Sequence, residues 1–168
     1  DVISSTIDVE NLYTNYEVLL SASIAKVEIM YKNMSKCYKS ADLYSSTGGL
    51  LKSACIINSP SGQSNCREKC TSIGMDLFAM RNLEEMNVFY TYMIGRATAN
   101  TSFWVDGYYN NNGWYVKNQT SMFAGSVPTL GTGNCTAISN PTKAILTYKV
   151  DCLNVYWSVC EFNVMPLI

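Results

Sequence analysis

Residues 149–162 read KVDCLNVYWSVCEF. Cys152 and Cys160 stand eight positions apart, Tyr156 and Trp157 form an aromatic pair, and Lys149 is a lone cation at the start. Three readings compete for such a stretch. It is the end of a disulfide-stapled domain, a thiolate metal site, or part of an active site. The rest of the chain decides between them.

The chain has 168 residues, seven cysteines and no histidine. Without histidine it lacks the commonest general base, the usual partner of cysteine on zinc and the usual pH switch. A four-cysteine zinc site needs two close pairs, and only Cys66 and Cys70 are close enough, with Cys135, Cys152 and Cys160 far apart. Disulfides are the better reading, and they imply an oxidising compartment. No metal, cofactor or catalytic residue is expected. The carboxylate pairs Asp8/Glu10 and Glu84/Glu85 fall in the opening turns of expected helices, where acidic charge favours the helix dipole.

Hydrophobic residues are 48% of the chain and charged residues 15%, which fits a folded core rather than disorder. The net charge is −1, so no basic field exists to attract nucleic acid. No apolar run reaches the roughly 18 residues that a membrane span needs. The chain begins at Asp1 and is expected to be a mature secreted chain without its leader. Four sequons, at Asn33, Asn100, Asn118 and Asn134, agree with a glycosylated extracellular protein. Asn134 abuts a cysteine expected in a disulfide, which argues for poor use.

Residues 8–36 are expected to be helical, with Asp8 as cap. Tyr13, Leu20, Val27 and Met34 recur every seven residues, beside Tyr16, Ser23 and Met30, with Ile24 and Tyr31 alongside. The stripe packs on the following domain or a partner, or forms a self-associating stalk. Turns are expected at 45–49 and 58–62, with a strand at 50–57 between them. A helix at about 64–74 ends on Gly74, and another at 82–95 starts on Asn82 with Glu85 three residues on. Short strands follow around Phe103–Gly107 and Trp114–Val116, separated by the turn Asn110–Gly113. After a Gly- and Ser-rich loop at 118–134, strands at 144–150 and 155–162 close the chain. The fold class is α+β, with the sheet mostly at the end.

The ordered set Cys70-Thr-Ser-Ile-Gly74-Met-Asp-Leu77, Glu84 or Glu85, Phe103-Trp104-Val105-Asp106-Gly107, Trp114, Cys135, Cys152 and Tyr156-Trp157-Ser158-Val159-Cys160-Glu161 resembles a C-type lectin-like domain. The resemblance covers roughly residues 54–162. The expected organisation is then 1–36 as a helical extension, 37–53 as a connector, 54–162 as the domain and 163–168 as a tail. It implies pairing of Cys70 with Cys160 and of Cys135 with Cys152. The first closes a loop of about 90 residues and restricts the unfolded chain by about 4–5 kcal/mol in the loop-entropy model. Of Cys37, Cys55 and Cys66, Cys55 pairs with either of the others. The odd thiol left over, on Cys37 or Cys66, is a candidate for cross-linking chains.

Sugar-binding members of the family hold Ca²⁺ with a Pro-centred acidic or amide triplet and an Asn-Asp pair before the second-to-last cysteine. Here the triplet falls on Val127-Pro128-Thr129 and the pair on Tyr148-Lys149. Val127 offers no side-chain oxygen, Thr129 only a hydroxyl, and Lys149 a cation. A degenerate site without Ca²⁺ is therefore expected, with Pro128 a candidate for a cis bond, as the family often has there. Tyr108, Tyr109, Asn110 and Trp114 at the Asn-rich turn form a candidate ligand surface, while Trp104 and Trp157 are expected in the core. The resemblance then implies a secreted, Ca²⁺-independent binding protein. Such a protein is expected to recognise a protein partner and to self- or hetero-associate, in immune or cell-surface recognition. The alternatives are a glycan-binding lectin with a non-standard site and a structural assembly module.

Overall fold

The computed structural model describes residues 34–94, 102–139 and 146–162, with isolated positions between 17 and 32. The expected helix over 8–36 and its heptad stripe fall mostly outside the described residues, as do Asn33, Asn100 and Gly95. Leu20 and Ile24, two members of the stripe that are described, are helical and exposed.

After a short 3₁₀ turn at Met34–Lys36, β1 (Lys39–Tyr44) and β2 (Leu50–Ser61) form a hairpin. Helix α1 (Gln63–Ser72), strand β3 (Asp76–Leu77) and helix α2 (Leu83–Met93) follow. Then come β4 (Ser102–Asn110), β5 (Gly113–Val116), β6 (Thr120–Ser121), β7 (Leu130–Gly131), β8 (Cys135–Ser139), β9 (Leu146–Val150) and β10 (Tyr156–Phe162). The main sheet has the order β1-β2-β10-β4-β8-β9-β7. Strand β3 pairs with β10, and β5 links β4 to β6. The last strand thus lies centrally, antiparallel to β2 and parallel to β4.

Two features correct the sequence reading. The segment 37–53, expected as a connector, is part of the sheet: Lys39–Tyr44 pairs with Leu50–Ile56. The expected turn at 58–62 is strand up to Ser61. Ile57 faces Ser158 and Ser61 faces Tyr156, so four steps on β2 oppose two on β10. Pro60 sits in that bulge, where its missing N–H costs no ladder bond.

The helices follow local chemistry. Asn82 Oδ1 accepts from the Glu85 amide at 2.9 Å, capping α2. Glu85 does not return to Asn82. Its Oε2 accepts from the Arg81 amide at 3.0 Å and meets Lys52 Nζ at 2.9 Å. Helix α1 ends on Gly74 at φ +77°, and the Met75 amide reaches back to the Cys70 carbonyl at 2.9 Å.

Two buried clusters fill the interior. In one, Phe78 stacks on Phe89 at 4.0 Å among Met93, Phe103, Ile138 and Val159. The other gathers Cys55, Cys70, Cys160, Leu77 and Trp104. Trp104 is fully buried and its indole N–H donates to the Ser61 carbonyl at 2.8 Å. Trp157 is half-buried, edge-on to Phe103 and Tyr38.

Disulfides join Cys70 to Cys160, Cys135 to Cys152 and Cys37 to Cys55. The β1–β2 register, with Ser40 opposite Cys55, brings Cys37 to its partner. Cys66 is the free thiol and is 0% exposed on the inner side of α1. Both expected cross-linking thiols are thereby removed. Cys37 is bonded within the chain and Cys66 cannot reach another one, so a disulfide-linked oligomer has no thiol to form it.

Candidate functional site

The long loop is folded onto β9 by backbone contact. Strand β7 runs parallel to β9, pairing Leu130 with Tyr148 and Gly131 with Lys149. The approach is close enough to require glycine. A Cβ on Gly131 would lie 2.3 Å from the Lys149 carbonyl oxygen, and one on Gly133 2.1 Å from the Val150 carbonyl. Both glycines also have positive φ, +88° and +137°. Thr147 Oγ1 donates to the Ser126 carbonyl at 3.1 Å, fastening the loop again before the triplet.

This arrangement brings Val127-Pro128-Thr129 alongside Tyr148-Lys149. Pro128 is buried, Val127, Tyr148 and Lys149 are half-buried, and Thr129 is exposed. The bond before Pro128 is trans, against the cis expectation. A cavity of about 470 Å³ adjoins Lys149, Gly131, Thr132, Asp151 and Asn154. Its carboxylate, Asp151, accepts from the Leu153 amide at 2.9 Å and so closes a turn. No Asp or Glu occurs from Lys117 to Cys135. Among the described residues no group of three or more His, Cys, Asp or Glu side chains is placed to hold a metal. The residues at the triplet and the pair offer one hydroxyl, no carboxylate from the loop, and one ammonium.

The Asn-rich turn is a two-residue hairpin, with Asn110 opposite Gly113 and Asn111 at φ +55°. Tyr109 faces Trp114 across it with ring centroids 5.6 Å apart. Tyr109 is 43% exposed, Asn110 is exposed, and Tyr108 and Trp114 are half-buried. The hairpin and the β7–β9 edge are joined through β8: Tyr109 N–H donates to the Asn134 carbonyl at 2.8 Å, and Tyr108 lies opposite Cys135.

Sequence reasoning missed the buried charges. Lys52 Nζ contacts Glu161 Oε2, Glu85 Oε2 and the Ala79 carbonyl, and sits 4.6 Å from the centre of the Phe78 ring. Asp106 is also buried, held by Arg67 at 2.6 Å and by the Lys117 amide at 2.9 Å. The available signal was Lys52 standing alone in the apolar run Leu50–Ile57. Reading Glu84 and Glu85 alike as dipole charges hid the difference between an exposed residue and a buried one.

Two helices, a central C-terminal strand, a long loop returning to the sheet and the Cys70–Cys160 and Cys135–Cys152 disulfides make this a C-type lectin-like fold. No family model and no curated protein matches the chain by sequence. Among solved structures it is similar to the C-type lectin domain of murine dendritic cell inhibitory receptor 2 in complex with an N-glycan. The identity is 16%, with a TM-score of 0.54 over 67% of this chain and 91% of that one. Human lithostathine shares 14% identity at a TM-score of 0.54, covering 67% and 83%. The natural killer cell receptor Ly49C shares 16% at 0.53, covering 74% and 93%. At these identities the likeness is one of fold.

Proposed function

We propose that this chain is an extracellular binding module that recognises a protein partner without Ca²⁺. The observation that carries the reading is Lys149. It is placed on β9 beside Gly131 and the Val127–Thr129 triplet, where an ion-dependent lectin would gather carboxylates. Three disulfides and the absence, among the described residues, of a helix long and apolar enough to cross a membrane are consistent with an extracellular setting. The likeness to the natural killer cell receptor Ly49C favours a setting in immune or cell-surface recognition. Self- or hetero-association, where it occurs, is non-covalent.

Capture of partners from native fluid onto the immobilised full chain tests the reading. Partners should be retained equally in millimolar Ca²⁺ and in EDTA. Retention lost in EDTA would overturn it.

A second reading has its own observation. Tyr109, partly exposed and paired with Trp114, offers an aromatic face on which a pyranose ring can stack. The murine receptor domain in complex with an N-glycan lends this support. Binding on a glycan array in EDTA that disappears in Trp114→Ala would favour it. A structural assembly role is the third, and light scattering of the whole chain against one lacking residues 1–36 reports on it.

A further inference from the structure

We infer that Asn118 carries an N-linked glycan whose first sugar lies over the large groove beside it, leaving partner binding to other faces. The inference rests on the extracellular reading above. Asn118-Gln119-Thr120 is a sequon, a pattern short enough to arise by chance. The structure adds how that sequon is held. Asn118 and Gln119 take left-handed conformations, φ +61° and +55°, in a tight turn whose residues 117–121 are all exposed. The Thr120 amide closes the turn on the Lys117 carbonyl. Lys117 is pinned on both sides, its amide to buried Asp106 at 2.9 Å and its ammonium to Asp76 at 2.6 Å. The turn is thus a fixed pedestal that presents the amide and the hydroxyl two residues on.

Asn118 also stands on the rim of two cavities. One, of about 760 Å³, is lined by Asp76, Arg81, Lys117, Thr120 and the half-buried Phe123. The other, of about 460 Å³, includes Arg67 and Tyr108. Charged groups and an aromatic ring along one concave wall suit a hydroxyl- and amide-bearing pyranose. The other described sequon is built differently. Thr136 is 0% exposed within β8, and Cys135 is bonded to Cys152, so Asn134-Cys-Thr136 is lost to a transferase once the strand forms.

In the transfer, Asn118 Nδ2 attacks the anomeric carbon of an oligosaccharide carried on a polyprenyl pyrophosphate. The C–N bond forms, the C–O bond to pyrophosphate breaks, the amide loses one proton and the lipid pyrophosphate departs.

The test is secretion of the full chain from eukaryotic cells behind a supplied leader, which makes the result independent of the Ca²⁺ and partner readings. Intact masses are compared before and after enzymatic glycan release. Wild type and Thr120→Ser should carry one glycan more than Asn118→Gln and Thr120→Ala. Equal glycan mass in wild type and both disrupting variants would overturn the attachment. Covering of the groove is read separately, by acetylation of Lys117. Labelling should be several-fold slower on the glycosylated protein than after glycan release, and equal rates would overturn the covering.

Discussion

Lys52 Nζ lies 2.5 Å from Glu161 Oε2 inside the domain, with Lys52 1% and Glu161 5% exposed. Neither strand alone supports such a charge. Glu161 Oε2 also accepts from the Ala79 amide at 3.1 Å, and Lys52 donates to the Ala79 carbonyl at 2.7 Å. The pair therefore ties β2, β10 and the segment after β3 through one charged point. Removing Lys52 takes the nearest cation from two buried carboxylates, Glu161 and Glu85, although Arg81 still lies 3.5 Å from Glu161 Oε1, and breaking such a buried pair costs about 3–5 kcal/mol. Lys52→Met should lower the free energy of urea unfolding by that order. Lys52→Met combined with Glu161→Gln should lose less than the sum of the single changes, a coupling that a double-mutant cycle reads directly.

Cys66 should react with a thiol reagent only when the protein opens. Burial pushes its thiol above the ordinary value, and the charge of Lys69 offsets part of that. Burial likewise raises Tyr90, partly offset by a hydrogen bond with Thr147. Both groups ionise more readily in the unfolded chain, so the unfolded state binds fewer protons as pH rises. Their contribution is complete below the unfolded thiol value of about 8.5 and is lost progressively above it. Unfolding midpoints at pH 7 and pH 10 should differ in that direction, and Cys66→Ala should shrink the difference.

Calcium should not raise the melting temperature. A ligand present at one hundred times its dissociation constant adds about 2.7 kcal/mol to the bound fold. A scan in millimolar Ca²⁺ against EDTA should give coincident transitions, because Lys149 and the neutral loop give the ion no shell.

Gly131 and Gly48 form a matched pair. Both have φ +88°, yet a Cβ on Gly48 meets nothing within 4 Å while one on Gly131 meets the Lys149 carbonyl at 2.3 Å. Gly48→Ala should cost about 1 kcal/mol, the conformational share alone. Gly131→Ala should cost more, by the separation of β7 from β9. Thermal unfolding followed by circular dichroism distinguishes the two.

What was legible in the sequence depended on whether the determining chemistry is local. Asn82, Gly74 and the Asn110–Gly113 turn act through neighbours within four residues, and their elements lie where expected, to within three residues. Strand β1 was hidden because Lys39–Tyr44 alternates too weakly to mark itself, and its order comes from β2 across a hairpin. Pro60 reads as a stop, and only the opposing strand shows that it sits in a bulge. The loop triplet and Tyr148-Lys149 were paired by resemblance; the contact itself depends on two glycines whose role appears only with β9 beside them. The fate of Cys66 was open for the same reason, since helical phase alone does not say which face of α1 turns inward.

The bond between Cys70 and Cys160 has a mechanical meaning. Tension applied between a point before Cys37 and a point after Cys160 passes through that covalent bridge and through Cys37–Cys55. Residues 71–159 and 38–54 are then bypassed. Such a pull can stretch residues 56–69, the later part of β2 and most of α1, while the hairpin aromatics and the β7–β9 edge lie in the bypassed segments. A ligand held there would feel the pull only through its own contacts, with the surface that grips it kept in shape.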